Sequence, residues 1–268
     1  MNKICKILEI SPQGYYKSRR KKQIKLLEED ILLKMVQDLR IKLPMLGGKK
    51  LYKMLKADLK KMGMKLGRDN FFNILRKRGL LIYKKKRYTK TTNSFHGFRT
   101  YDNLIKDLIP VRSDEAYVSD ITYIHSLEGF TYLALVTDLY SRKIVGFDIS
   151  YSLSFEGSLR ALAMAIKDKE LSGSIHHSDR GIQYCSKTYT EILKEKGILI
   201  SMSEKGNPYE NAVAERVNGI LKEEFLLNRI FKTKQDTIQA VKEAISSYNE
   251  LRPHMSINYM TPNQKYAA

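Results

Sequence analysis

The sequence predicts a chain in two parts, a basic all-helical module followed by a mixed α/β domain. Residues 1–112 contain 30 Lys and Arg against 9 Asp and Glu, a formal charge of +21, whereas the remaining residues sum to −2. The apolar pattern changes near the same place, from a helical period to β-rich runs that alternate with helices. This division suggests that the first part binds a polyanion, with nucleic acid favoured, while the second has another task.

The first part, residues 1–83, is expected to contain several short helices. We expect helices over residues 3–9, 24–40, 49–61 and 68–78. The breaks between them fall at residues 43–48, which include Pro44 and two glycines, and at residues 63–67, which begin and end with glycine. Two helices joined by a glycine-containing turn, the second of them basic, make a helix-turn-helix candidate for DNA binding.

Residues 84–114 are expected to form a basic linker. It opens with the run Lys84, Lys85, Lys86 and Arg87. Beside a module of this charge the run favours contact with DNA phosphates, although a solvated linker would have the same composition.

From residue 115 the sequence favours a sheet with flanking helices. Strands are expected over residues 117–124, 132–137, 144–149, 174–177 and 198–202. Helices are expected over residues 155–169 and 187–196, then one that carries Glu215, and one that runs from a capping box at Thr233 and Asp236 to about residue 250. This order predicts a ribonuclease-H-like mixed five-stranded sheet over 115–232, and residues 233–268 form a C-terminal helix and tail that pack on the core.

Three carboxylates, Asp120, Asp179 and Glu215, lie among apolar neighbours. Such positions are costly for a charge unless it is paired or bound to a metal. In the predicted fold Asp120 lies on the central strand, Asp179 follows the strand beside it, and Glu215 approaches from a helix. Mg²⁺ or Mn²⁺ suits an all-oxygen site, and two such ions can drive the cleavage and joining of phosphodiester bonds.

Other side chains are candidates for contact with DNA. These are Lys222, Arg180, Lys205, Asn207 and Asn211. Lys222 follows Glu215 by two helical turns and could hold a phosphate, or it could be an exposed salt-bridging lysine. The residues that precede the helix carrying Glu215 suit phosphate at a helix N-terminus, but a simple helix cap explains them nearly as well.

Four residues have less specific contexts. His177 is expected to stand behind the site and orient Asp179, or to touch DNA. For Arg252, after the last long helix, a structural clamp and DNA binding are both open. Cys5 and Cys185 form no metal-binding pair, which argues against a structural zinc.

Without a long apolar run, the sequence favours a soluble cytoplasmic protein that associates with the nucleoid and not with membranes.

Five ordered segments resemble the retroviral-integrase-type core of IS3-type insertion-sequence transposases, the product of that family's second reading frame. The segments are residues 119–124, 132–146, 177–184, 211–215 and 248–254. The resemblance covers about 115–266 and extends more loosely over 30–90. Its most specific part is the spacing of 35 residues between Asp179 and Glu215.

The resemblance implies that Asp120, Asp179 and Glu215 form a DDE triad that binds two Mg²⁺ ions. It further implies nicking of double-stranded donor DNA at the ends of the element, strand transfer of the freed 3′-hydroxyl to target DNA, and a homo-oligomer on DNA. A helix-turn-helix and leucine-zipper product of the upstream frame would be a partner. Two alternatives stay open: a ribonuclease-H-like nuclease that cuts without joining, and a DNA-binding regulator with an inactive core.

Overall fold

A computed structural model describes residues 11–83, 99–204 and 211–268, together with Cys5, Ile7 and Glu9. Its contacts divide the chain into two compact units, Met1–Lys84 and Lys85–Ala268, each of which is described by itself. The expected helix over 3–9 and the basic run that opens at Lys84 lie wholly or mostly outside the described residues. Within the described ranges, no helix combines the length and apolarity that crossing a membrane requires.

The described part of the first unit consists of three helices, and the first of them is longer than predicted. They are α1 (Pro12–Lys42), α2 (Gly48–Lys61) and α3 (Arg68–Lys77). The sequence predicted α1 only from residue 24. The helix begins at Pro12 because the Ser11 hydroxyl accepts a hydrogen bond from the Gly14 N–H and proline suits the first turn. The Lys and Arg residues that follow are good helix formers and continue it.

The second unit is built on a five-stranded sheet. Its strands are β1 (Ala116–Ser126), β2 (Gly129–Asp138), β3 (Ile144–Ser150), β4 (Ile175–Ser178) and β5 (Leu199–Met202), in the spatial order β3-β2-β1-β4-β5. The pairs β1–β2 and β2–β3 are antiparallel, whereas β1–β4 and β4–β5 are parallel. The predicted mixed sheet of ribonuclease-H-like type is confirmed.

Helices flank this sheet in the predicted order. They are α4 (Phe155–Ile166), α5 (Ile182–Cys185), α6 (Lys187–Glu195), α7 (Ala212–Glu224), α8 (Lys234–Glu250) and α9 (Pro262–Tyr266), with a 3₁₀ turn at Met255–Ile257. The capping box of α8 at Thr233 and Asp236 is present as predicted. The sequence did not predict α5, α9 or the 3₁₀ turn, since three to five residues are too few to show a helical period.

Packing on the two faces of the sheet fixes the place of β1. On one face, Tyr117 and Val136 pack in a cluster with Leu162 of α4. Gly146 of β3 allows this approach, because a Cβ there would lie 2.1 Å from the backbone oxygen of Ala161. A second cluster joins β1 to Ala214 of α7, so α7 is held against the strand that carries Asp120.

The C-terminal tail is tied to the core by a small polar cluster. The Tyr266 hydroxyl donates to the Asp114 carboxylate at 2.7 Å, and the Lys169 ammonium donates to both Asp114 and Tyr266 at 2.8 Å. The hydroxyl of Ser113 also donates to the backbone oxygen of Tyr266. These contacts hold α9 beside the start of β1.

Candidate active site

Asp120 and Asp179 lie side by side where the pairing between β1 and β4 stops. The last pair of this parallel ladder is Ser119 with Ser178, and the two aspartates are the next residue on each segment. Although β1 continues to Ser126, β4 ends here, so the two carboxylates come within electrostatic reach and the Asp179 charge raises the pKa of Asp120. The register of the sheet therefore brings together two of the three predicted carboxylates.

Glu215 approaches these aspartates from the first turn of α7. Partial burial and then the charge of Asp179 raise the pKa of Glu215 above its ordinary value. The charge of Glu215 also contributes to raising the pKa of Asp120. The structure thus gathers all three predicted carboxylates from β1, the end of β4 and α7.

The pKa of Asp120 is strongly raised. Burial, followed by the charge of Asp179, raises the pKa of its carboxyl group to about 7. Two donors oppose this shift: the Asn218 amide donates to Oδ2 at 2.7 Å, and the Ile121 N–H donates to Oδ1 at 2.9 Å. In the absence of a cation, Asp120 is therefore partly protonated near neutral pH.

Asn218 is a site residue that the sequence interpretation missed. Its side chain is buried on α7, its amide nitrogen holds Asp120, and its Oδ1 has no hydrogen-bond partner. The signal was present, because Asn218 follows Glu215 by three residues and thus shares its helix face. Because the side chain of Asn218 carries no charge, the pattern of carboxylates and lysines does not single it out.

Lys222 lies near Asp120, as its spacing from Glu215 suggested. Burial lowers the pKa of its ammonium group, and the charge of Asp120 opposes that shift. The Nζ atom lies 4.5 Å from the centre of the Tyr123 ring. The lysine is thus a partly desolvated cation beside the carboxylates and not a freely exposed one.

Two of the predicted DNA contacts bind the protein instead. Asn211 is only 5% exposed, and its amide donates to the backbone oxygen of Ser119 at 3.1 Å, so it braces α7 against β1. His177 is fully buried with Nδ1 at 2.8 Å from the Ser201 hydroxyl. Complete burial of the ring argues against the expectation that His177 touches DNA.

Among the remaining predicted DNA contacts, only Arg180 lies within the described residues. Arg180, the residue after Asp179, is partly buried. Its Nε donates a hydrogen bond to the backbone oxygen of Ser203 at 2.8 Å, which fixes the orientation of the guanidinium group. The other predicted contacts lie outside the described residues. These are Lys84, Lys85, Lys86, Arg87, Lys205 and Asn207.

The donor set fits a hard divalent cation. The three carboxylates offer only oxygen atoms and repel one another, and burial disfavours the charged forms of Asp120 and Glu215. A dication would offset both costs. Within the described ranges, no three or more His, Cys, Asp or Glu side chains are already spaced around one ion position. This is consistent with Asn218 occupying Oδ2 of Asp120.

Comparisons with known proteins agree with this fold. Residues 110–208 and residues 196–262 each match a family described as integrase core domain. The insertion element IS600 uncharacterized 31 kDa protein of Shigella sonnei is 32% identical over 97% of this chain and 96% of its own length. The transposase InsF for insertion sequence IS3A of Escherichia coli (strain K12) is 33% identical over 71% of this chain and 67% of its own length.

Among solved structures, the fold resembles the simian T-cell lymphotropic virus intasome in complex with PP2A regulatory subunit B56 gamma. The TM-score is 0.51 at 17% identity, over 83% of this chain and 75% of that chain. At this level of identity the likeness concerns the fold alone.

Proposed function

This chain belongs to the IS3-type insertion-sequence transposases of the integrase superfamily, and we propose that it nicks DNA at the ends of its element and joins the freed 3′-hydroxyl to target DNA in a metal-dependent reaction. One observation carries the proposal. Asp120, Asp179 and Glu215 converge from three separate elements, and the Asp179 charge raises the pKa of both other carboxyl groups.

In this proposal Asp120, Asp179 and Glu215 hold Mg²⁺ or Mn²⁺, with two ions at full occupancy. When bound, such ions neutralise developing charge and activate an oxygen nucleophile for in-line phosphoryl transfer. The chain itself orients the parts. Asn218 holds the side chain of Asp120 in place. Lys222 places a positive charge beside the carboxylates, where it would offset the negative charge of a substrate phosphate.

The first unit would hold the DNA. Its charge supports this role, since residues 1–84 contain 23 Lys and Arg against 7 Asp and Glu. The helix α3 follows α2 through a turn in which Gly63 adopts a φ of +76°, a conformation that glycine reaches without strain. We propose that α2 and α3 form the predicted helix-turn-helix and bind double-stranded DNA.

Membership of this family also supports three further elements of the proposal. The protein would act on element ends and target DNA as a homo-oligomer. It would cooperate with a helix-turn-helix and leucine-zipper product of the upstream frame, and it would work in the cytoplasm on nucleoid DNA.

A strand-transfer assay tests the proposed function against its two rivals. A labelled duplex that ends in a pre-cut 3′-hydroxyl is mixed with the protein and a circular target in Mg²⁺ or Mn²⁺. We expect labelled products longer than the input, and none when EDTA removes the metal. Shortened products without joined ones would instead indicate a nuclease. Bound duplex that is neither cut nor joined would indicate a regulator with an inactive core.

The Asn218→Leu variant is expected to change the pH dependence of metal activation. Loss of the amide donor removes a stabiliser of the Asp120 carboxylate, so the pKa of Asp120 rises further above its ordinary value. Because the metal must displace that proton, the pH of half-maximal activity at a fixed subsaturating Mg²⁺ concentration should rise by about one unit.

The change should shrink at saturating Mg²⁺, which a purely structural defect would not produce. Asn228→Leu, which alters a more exposed asparagine just after α7, serves as the control. An unchanged pH midpoint in Asn218→Leu would show that the amide does not tune Asp120.

A further inference from the structure

Three rings, Tyr123, His125 and Phe130, lie together near the turn of the β1–β2 hairpin. His125 and Phe130 are cross-strand partners whose ring centres lie 4.8 Å apart at an interplanar angle of 26°. The Tyr123 ring meets Phe130 edge-on at 5.3 Å. Phe130 is 45% exposed, and His125 is also exposed. We refer to these three residues as the ring cluster.

The ring cluster lies beyond the part of the sheet that α4 covers. Along β2, positions 134 and 136 share a face with Phe130, and there Ala134 and Val136 are buried against Ala161 of α4. At Phe130 the same face is open. A β-strand surface of this kind normally alternates buried apolar with exposed polar residues, so exposed rings at 125 and 130 depart from the pattern.

The ring cluster is continuous with the candidate active site through Lys222. The ammonium nitrogen of Lys222 lies 4.5 Å from the Tyr123 ring centre, and the charge of Asp120 acts on the same ammonium group. A cation therefore stands between the carboxylates and the rings. This arrangement could bind one nucleotide, because the cation can pair with its phosphate and the aromatic rings can stack on its base.

We propose that the ring cluster binds an unpaired base of the DNA strand beside the cutting site by stacking, while Lys222 contacts the adjacent phosphate. The inference rests on the proposed function and adds a substrate preference to it, namely DNA whose end is frayed or single-stranded. Stacking tolerates any base, because every base has an aromatic face. The cluster thus contributes affinity for opened ends without reading their sequence.

The test uses two duplexes of equal length, one blunt and one with unpaired bases at its 3′ end, in metal-free buffer. Phe130→Leu should bind the open-ended duplex about 5- to 100-fold more weakly than the unaltered protein does, and the blunt duplex equally well. Phe130→Tyr keeps a ring and should restore binding. Leu127→Ala changes an apolar residue that is 78% exposed at the tip of the same hairpin, and it should leave both affinities unchanged.

A second measurement covers the case in which Phe130→Leu fails to fold, since cross-strand aromatic pairs also stabilise hairpins. An unpaired 2-aminopurine in the open end should lose fluorescence on binding the unaltered protein, and less so on binding His125→Thr. Equal weakening for both duplexes, no weakening, or an unquenched 2-aminopurine would each overturn the inference. If the unaltered protein joins DNA in any of these cases, the proposed function stands without the ring cluster.

Discussion

Asp120→Asn, Asp179→Asn and Glu215→Gln are each expected to reduce nicking and strand transfer by about 10³-fold while DNA binding persists. Each change removes one charged oxygen ligand and keeps the shape of the side chain. Losses of this size are typical when one preorganised electrostatic group is removed from a catalytic site. Gel assays of labelled donor and joined products measure the effect.

Glu223→Gln is the matched control, since Glu223 is exposed on the same helix as Glu215. It should retain full activity. Thermal unfolding gives a second measurement that does not depend on catalysis: Mg²⁺ should raise the Tm of the unaltered protein and of Glu223→Gln, but less in the triad variants. Full activity in any triad variant would contradict the assignment of that residue.

The sequence predicted the sheet and the three carboxylates for a physical reason. Buried strands require apolar runs, so a carboxylate at residue 120 or just after a strand at residue 179 is conspicuous. Glu215 was predicted from its apolar neighbours and from the 35 residues that separate it from Asp179. Long elements with a repeated pattern, such as β1 and α8, were found close to their observed limits.

The contacts between distant residues could not be predicted in this way. Asn211 looked like a phosphate ligand, and only the register of α7 against β1 shows that its amide binds Ser119. Asn218 shares a helix face with Glu215, but its position in the sequence does not show that its amide binds Asp120. For Arg252 the sequence left a clamp and a DNA contact equally open. Side-chain pairing across the fold depends on packing that local patterns do not contain.

Arg252 is the clamp, and its loss is expected to have the largest effect on stability. Its guanidinium is 2% exposed and forms a bidentate pair with Glu224, at 2.9 Å from Nε and 2.8 Å from Nη2. The pair ties the end of α7 to the residues that follow α8. Arg252→Met should lower the free energy of unfolding by about 3–5 kcal/mol, because it breaks an ion pair whose guanidinium group is buried.

Chemical denaturation followed by circular dichroism measures this loss. Arg160→Met removes a similar bidentate pair with Asp148, but Arg160 is 57% exposed, so the loss there should be about 1 kcal/mol or less. Arg252→Met combined with Glu224→Met should recover part of the stability, since no charge then stays unpaired. Equal losses in the Arg252 and Arg160 variants would show that burial does not set the strength of the clamp. Because α7 also carries Glu215 and Lys222, a loosened clamp should lower activity in proportion to the fraction unfolded, with the metal dependence unchanged.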